Sequence, residues 1–254
     1  MVKPFEGRTA LVTGAGRGIG RAVAVELARA GARTVLLARS QSELAESAHL
    51  VRAEGGEALV VRGDLAHPDR IAHLLGGVGD DLGHVDILVN NAGVVWPLGP
   101  TAAVDAAEWA AAIDVNLVSA ATLTFSLLPA MIGRGWGRVV NVSSGVAERP
   151  TAMIGANAYA TAKAALEAHT VNLAAELAGS GVTVNAFRPG RVDTAMQAWI
   201  REQDPDQIGA GLHEQFSRYH LGGTLISSEQ SARSLVSRLP GDATGQIWSV
   251  SDPA

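Results

Sequence analysis

Seven short apolar runs alternate along this chain with longer Ala-rich stretches whose apolar residues recur at helical spacing. The runs are Thr9–Thr13, Thr34–Ala38, Ala58–Arg62, Asp86–Val89, Arg138–Val142, Val182–Ala186 and Gln246–Val250. Most are continuously apolar rather than alternating, which is the pattern of strands buried on both faces. Strands separated by helical crossovers run parallel. The expected architecture is therefore α/β: a doubly wound, parallel, seven-stranded sheet with helices on both faces. A length of 254 residues with 47% apolar residues suits one large domain, and no linker or repeat divides residues 1–254. The least regular part, about residues 190–228, carries Met196, Trp199 and Ile200 at helical spacing and is expected to form a mobile flap with an apolar underside.

Composition excludes several classes of function. The net charge is −5 and the 20 Lys and Arg are scattered, whereas a nucleic-acid surface needs a clustered basic face. Without cysteine there is no disulfide, thiolate nucleophile or Cys-bound zinc. The seven histidines form no metal pair at a recognised spacing, and no metal is expected. Met1–Gly7 lacks the apolar core of a secretory signal, so a cytoplasmic location is expected. The apolar stretch Ala102–Phe125 is broken by Asp105, Glu108, Asp114 and Asn116, so no membrane span is expected.

Thr13-Gly-Ala-Gly-Arg-Gly-Ile-Gly20 lies between the first strand and the first helix. Glycines let a backbone turn sharply and approach a pyrophosphate, and the helix that follows supplies free N–H groups. The spacing is T-G-x-x-x-G-x-G, through Gly14, Gly18 and Gly20, not the literal G-x-G-x-x-G. This loop makes the expected fold a Rossmann-type dinucleotide fold.

Tyr159 and Lys163 are four residues apart in a helical stretch, Ala158–Leu177, and so share one face. A free Tyr, with a pKa near 10, is too weak a base near neutrality. Lowering it by about three units needs roughly 4 kcal/mol. An ammonium at about 5 Å in an effective dielectric of about 20 supplies roughly 3 kcal/mol. The pair is therefore a candidate acid/base, with Lys163 expected to lower the Tyr159 pKa.

With Thr13–Gly20, Asn90-Asn-Ala-Gly93, Asn116, Ser143-Ser144, Tyr159-Ala-Thr-Ala-Lys163 and Pro189-Gly190 in this order, the whole chain resembles the short-chain dehydrogenase/reductase family in its compact form. The resemblance implies hydride transfer between a nicotinamide cofactor and a carbonyl or alcohol. It implies Tyr159 as general acid/base, Lys163 on the nicotinamide ribose, and Ser144, the second of its pair, on the substrate oxygen. It implies Asn116 as the holder of a relay water beside Lys163. The gap from Ser144 to Tyr159 is a couple of residues longer than is common in the family, placing extra length in Ala147–Ala156 beside the substrate.

Dinucleotide folds that bind NAD place an acid after the second strand for the ribose 2′-OH. Here Ala38 stands in that place and Arg39 follows it, with Arg17 in the glycine loop. Two guanidiniums suit a 2′-phosphate, so NADP(H) is the expected cofactor. By the resemblance, Gly14, Gly18, Ile19 and Gly20 approach the cofactor, as do Asp64 and Leu65 at the adenine. Asn91, Ala92 and Gly93 line the ribose and nicotinamide. Pro189, Gly190, backbone at Val192 and the Thr194 hydroxyl face the carboxamide, while Asn90 bonds neighbouring strands. Val94, Val95, Trp96, Met153, Ile154, Met196 and Trp199 are the expected lining of an apolar substrate pocket.

A ketone reductase or alcohol dehydrogenase acting on a small-molecule carbonyl or alcohol is the leading expectation. A 3-oxoacyl-thioester reductase would want a basic patch for an acidic carrier, for which Arg191, Arg201 and Arg218 are candidates. A non-enzymatic NADP-binding sensor or scaffold is the reading from another class, disfavoured because Ser, Tyr, Lys and Asn are all present. An isomerase or dehydratase would want an added substrate domain. The resemblance also implies a homotetramer, or a homodimer, packed through the Ala-rich helices.

Overall fold

The computed structural model describes residues 3–252. Its sheet holds seven parallel strands in the order β3-β2-β1-β4-β5-β6-β7. They are β1 (Thr9–Thr13), β2 (Arg33–Ala38), β3 (Ala58–Arg62), β4 (Ile87–Asn90), β5 (Gly137–Val142), β6 (Val182–Arg188) and β7 (Ile247–Ser249). The helices are α1 (Gly18–Arg29), α2 (Gln41–Ala53), α3 (Ile71–Val78), α4 (Ala106–Ile113), α5 (Ser119–Gly133), α6 (Asn157–Glu176), α7 (Ala195–Glu202), α8 (Pro205–Ile208), α9 (Ala210–Leu221) and α10 (Ser228–Val236). This is the Rossmann-type fold expected, as a single domain.

Successive strand residues point to opposite faces, and each face has its own core. Val12, Leu36, Val89 and Phe187 pack with Val23 and Leu27 of α1 and Leu235 of α10. Their neighbours Leu11, Val35, Leu88 and Val139 pack the other way, against Leu123 and Met131 of α5 and Leu173 of α6. Strand order reverses between β1 and β4, and the crevice this opens at the carboxyl ends of the strands is where such sheets bind ligands.

Several expected boundaries move by one or two residues. β4 starts one residue late because Asp86 is spent as an anchor: its carboxylate accepts from Thr9 N–H at 3.0 Å and pairs with Arg8 at 3.3 Å. β6 runs on to Arg188, paired with β7 at its end. The region expected as an irregular flap is largely helical, through α7, α8 and α9. Ile200, Ile208, Leu212 and Phe216 form its apolar underside, clustered with Val95, Val146 and Tyr159. The stretch Ala106–Gly133 is long and apolar enough to cross a membrane by length and composition, and its Leu123, Leu127 and Met131 are buried in the core of this fold.

Candidate active site

The glycine loop is held by its neighbours on every side. Thr13 Oγ1 accepts from the Asn91 and Ala92 N–H groups, both at 2.9 Å, and Asn91 Nδ2 donates to Thr13 O at 2.9 Å. The ends of β1 and β4 are thus sewn together at the switch point. Arg21 Nε donates to Gly16 O at 3.0 Å, and Ser47 Oγ to Ala15 O at 2.8 Å. A Cβ at Gly20 would lie 2.3 Å from Gly14 O, so this glycine serves close packing of loop on helix. α1 then begins with no side-chain cap and no acid in its first turn, whereas Ser40, Asp105 and Ser227 cap α2, α4 and α10. An uncapped, positive helix end beside glycines fits a pyrophosphate.

A cleft of about 640 Å³ runs along the strand ends. Gly14, Arg17, Gly18, Ile19, Arg39, Asp64, Leu65, Asn91, Ala92, Gly93, Tyr159, Lys163, Pro189 and Thr194 line it. So do Gly16, Ser40 and Glu43, which the sequence did not mark out. Gly20, Asn116, Ser144 and Gly190 stay off the lining, while Ser143 is on it. Val192 is buried and bridges Ile226 through bonds that use the backbone of Arg191 and Asp193 rather than its own. Asp64 spends one carboxylate oxygen on Ala66 N–H at 3.0 Å while facing the cleft. Asn90 Nδ2 donates to Asn141 on β5 at 2.9 Å and to Thr124 on α5 at 3.1 Å.

The serine pair divides in two. Ser143 Oγ is buried and donates to Glu167 Oε1 at 2.7 Å, whereas the Ser144 hydroxyl accepts from Val146 N–H at 3.3 Å and favours the ionised form of Tyr159. Tyr159 and Lys163 share the inner face of α6, with Lys163 Nζ 5.7 Å from the Tyr ring centre. Nζ donates to Val142 O at 2.8 Å, leaving two of its three donors for a ligand.

The electrostatics differ from expectation. Burial pushes the Tyr159 hydroxyl above its usual value, with only the Ser144 bond pulling the other way. Burial also lowers the Lys163 ammonium, to about 8. Both groups lose water, and desolvation outweighs the attraction that simple Coulomb arithmetic assigned to Lys163. Lys163 therefore does not by itself bring Tyr159 into the neutral range.

Asn116 lies in a π-helical turn, Asp114–Val118, between α4 and α5. Its Nδ2 donates to Val94 O at 2.8 Å and Ala112 O at 2.9 Å, and its Oδ1 accepts from Val94 N–H at 3.1 Å. The side chain thereby holds the loop after β4 flat against Lys163. A Cβ at Gly93 would come within 2.8 Å of Asn116 Oδ1, so this contact requires glycine there.

The expected substrate pocket needs correction. Val94, Val95, Trp96, Met196 and Trp199 line the cleft, joined by Val115 and Ala195. Met153 and Ile154 do not. They border a separate cavity of about 570 Å³, and Ile154 is 78% exposed. The extra length after Ser144 folds into a short 3₁₀ turn, Pro150–Met153, which carries Ile154 outward. The three arginines considered for a carrier patch are also dispersed in role. Arg191 stacks on Tyr219 at 4.1 Å, Arg218 pairs with Glu214 at 4.0 Å, and Arg201 is half-buried. Among the described residues no cluster of metal-ligating side chains occurs.

Fold and cleft together define an α/β protein of the dinucleotide-binding class, with Tyr159 and Lys163 on the wall of its crevice and Ser144 close by. The family model for short chain dehydrogenases matches residues 8–205, and the chain belongs to that family. It is 41% identical over 198 residues to a short chain dehydrogenase of Pseudocercospora fijiensis, an alignment covering 76% of this chain and 62% of that one. It is 38% identical over 204 residues to the 3-oxoacyl-acyl-carrier-protein reductase of Pseudomonas aeruginosa, covering 80% and 81%. A crystal structure of a variant actinorhodin polyketide ketoreductase with NADPH superposes with a TM-score of 0.84 at 32% identity, over 98% of this chain and 97% of that one.

Proposed function

We propose that this chain is an NADP(H)-dependent oxidoreductase that interconverts a ketone and a secondary alcohol. The observation that carries the reading is Tyr159 and Lys163 on the wall of a glycine-lined cleft, one helical turn apart, with the Ser144 hydroxyl close enough to Tyr159 to act on its pKa. Arg17 and Arg39 sit beside β2, three strand spacings from β5, or about 14 Å. That separation suits the two ends of a dinucleotide. Arg17 and Arg39 would hold the 2′-phosphate, and Asp64 and Leu65 the adenine. Asn91, Ala92 and Gly93, the two free donors of Lys163, backbone at Val192, and Thr194 would hold the ribose and carboxamide of the nicotinamide. When bound, the nicotinamide supplies or accepts the hydride at its C4.

In the reducing direction Tyr159 donates its phenolic proton to the carbonyl oxygen, and Ser144 steadies the charge gathering there. In oxidation Tyr159 takes the alcohol proton. Its raised pKa favours the proton-bearing form, the one that reduction uses. Asn116 holds the wall beside Lys163. Val94, Val95, Trp96, Met196 and Trp199 give the substrate an apolar seat, under a flap of α7–α9. The complete Ser144–Tyr159–Lys163 set argues for an enzyme over a nucleotide sensor.

A 3-oxoacyl thioester is the second substrate reading, and its support is the Pseudomonas aeruginosa relative. We place the enzyme in the cytoplasm. Exposed Phe125 and Ile132 on α5 and Val171 on α6 support assembly as a homotetramer or homodimer. The test is oxidation of NADPH and NADH with simple ketones, diketones and a 3-oxoacyl thioester, with Tyr159→Phe alongside. NADPH-preferring turnover lost in Tyr159→Phe carries the proposal. Tight NADPH binding with no turnover on any carbonyl would turn it towards a sensor.

A further inference from the structure

The cleft contains a carboxylate beside the end of β2, although β2 itself ends without one. Glu43, in the first turn of α2, lines the cleft with Arg17, Arg39 and Ser40. Its Oε1 lies 3.4 Å from Arg17 Nη1. The loop leaves room for it: a Cβ on Gly16 would come within 3.0 Å of Glu43 Cβ and 3.1 Å of Oε2. In sequence, Ser40-Gln41-Ser42-Glu43 is a helix capping box, in which Glu43 would reach back to the Ser40 N–H. Only half of that box is made. Ser40 Oγ accepts from Glu43 N–H at 3.3 Å, but among the described residues no bond joins the Glu43 carboxylate to Ser40 N–H. The carboxylate is turned to Arg17 instead.

We propose that Glu43 is a cofactor-discriminating residue, which competes with a 2′-phosphate for Arg17 and offers its carboxylate to a 2′-hydroxyl. This rests on the reading of the cleft as a dinucleotide site. A 2′-phosphate brings between one and two negative charges to a place where Glu43 already neutralises one of the two guanidiniums. Binding it means exchanging Glu43 for phosphate on Arg17 and holding two anions close together. A 2′-hydroxyl needs neither: it can donate to Glu43 while the Arg17 pair stays intact. Glu43 thus holds the preference for NADP(H) down and keeps NAD(H) in use. Arg17 and Glu43 are partly exposed, at 63% and 35% of their side chains, so the effect is screened and moderate.

The experiment is calorimetric binding of 2′,5′-ADP and 5′-ADP, and of NADPH and NADH, to the wild type, Glu43→Gln, Arg17→Met and the double variant. Glu43→Gln keeps the shape and the Ser40 cap. It is expected to tighten 2′,5′-ADP and NADPH about fivefold to tenfold and to weaken NADH, moving the NADPH/NADH affinity ratio at least tenfold. In the Arg17→Met background the same change is expected to move the ratio by less than half as much on a logarithmic scale. A ratio unchanged by Glu43→Gln overturns the role of Glu43, even where the wild type prefers NADPH. A wild type that prefers NADH, with a ratio that still shifts in Glu43→Gln, keeps the role of Glu43 and overturns the NADP(H) preference instead. A full-sized shift without Arg17 overturns the competition for that guanidinium.

Discussion

Ser143 and Glu167 are bonded to each other in the protein interior, hydroxyl to carboxylate, at 2.7 Å. That bond commits the Ser143 hydroxyl to the scaffold, and it is Ser144 that acts on the Tyr159 pKa. The two adjacent serines should therefore fail differently. Ser144→Ala is expected to lower kcat about a hundredfold with little change in stability, since it removes a donor at the developing oxyanion. Ser143→Ala should cost about 1 kcal/mol of stability and leave kcat within a few-fold. Initial rates and urea unfolding of the two variants separate the roles. Equal kinetic losses would place both hydroxyls at the substrate.

Glu167 is the centre of a wider clamp. Arg188 at the end of β6 gives it two bonds, at 2.8 and 2.9 Å, and also pairs with Glu148 at 3.0 Å. The clamp joins α6, the sheet and the loop after Ser144. Glu167→Leu is expected to lose about 3 kcal/mol, because it leaves a largely buried guanidinium with only the exposed Glu148 as partner and removes the acceptor of Ser143. Adding Arg188→Met should recover most of that loss, since an apolar pair replaces a broken ionic one. Urea midpoints for the two single variants and the double measure it. A double variant no more stable than Glu167→Leu would show that the loss lies in packing, not in the stranded charge.

Lys163 gives a pH signature. Burial holds its pKa at about 8, below the unfolded value of 10.5. Between these values the unfolded chain binds more protons than the folded one, so stability rises with pH. The penalty for the buried ammonium is fully present below pH 8 and relieved as pH climbs through the folded pKa. From pH 7.5 to 9.5, wild type should gain about 2 kcal/mol relative to Lys163→Met in the absence of nucleotide. Chemical denaturation at a few pH values in this window reads the difference. Parallel pH curves for the two proteins would mean that water reaches the amine.

Sequence period and turn chemistry carried most of the fold. The β1, β2 and β3 runs were legible within a residue because continuous apolar strands bounded by glycine or polar turns have few alternatives. Tyr159 and Lys163 were legible because their spacing alone puts them on one helix face. Glu43, Glu167 and Arg188 were not. Glu43 reads as an ordinary capping-box acid, and only its rotation towards Arg17 gives it another role. Glu167 continues the four-residue series of Tyr159 and Lys163, a signal that was available. Its meaning depends on Ser143 and Arg188, from distant strands. The outward path of Ile154 depended on how the loop after Ser144 folds, which has no periodicity to read. The direction of the Tyr159 shift could not be read either, since it turns on the depth of burial, which a sequence does not state.

Ile154 and Trp199 separate the two cavities, and so test which one holds substrate. Trp199 lines the cleft and packs in the cluster that holds Tyr159, Ile200 and Phe216. Ile154 borders only the outer cavity. Removing the indole opens the apolar seat by most of a ring, so Trp199→Ala should change the choice between a bulky aromatic ketone and a small aliphatic one. A shift of about tenfold or more in the ratio of their kcat/KM values is expected towards the bulkier substrate. The ratio is taken within one variant, so any fraction lost to unfolding cancels. Ile154→Ala should leave the same ratio within about twofold, because no substrate in the cleft touches residue 154. If Ile154→Ala moved the ratio as far as Trp199→Ala, substrate would extend from the cleft into the outer cavity, and the loop after Ser144 would have to open to admit it.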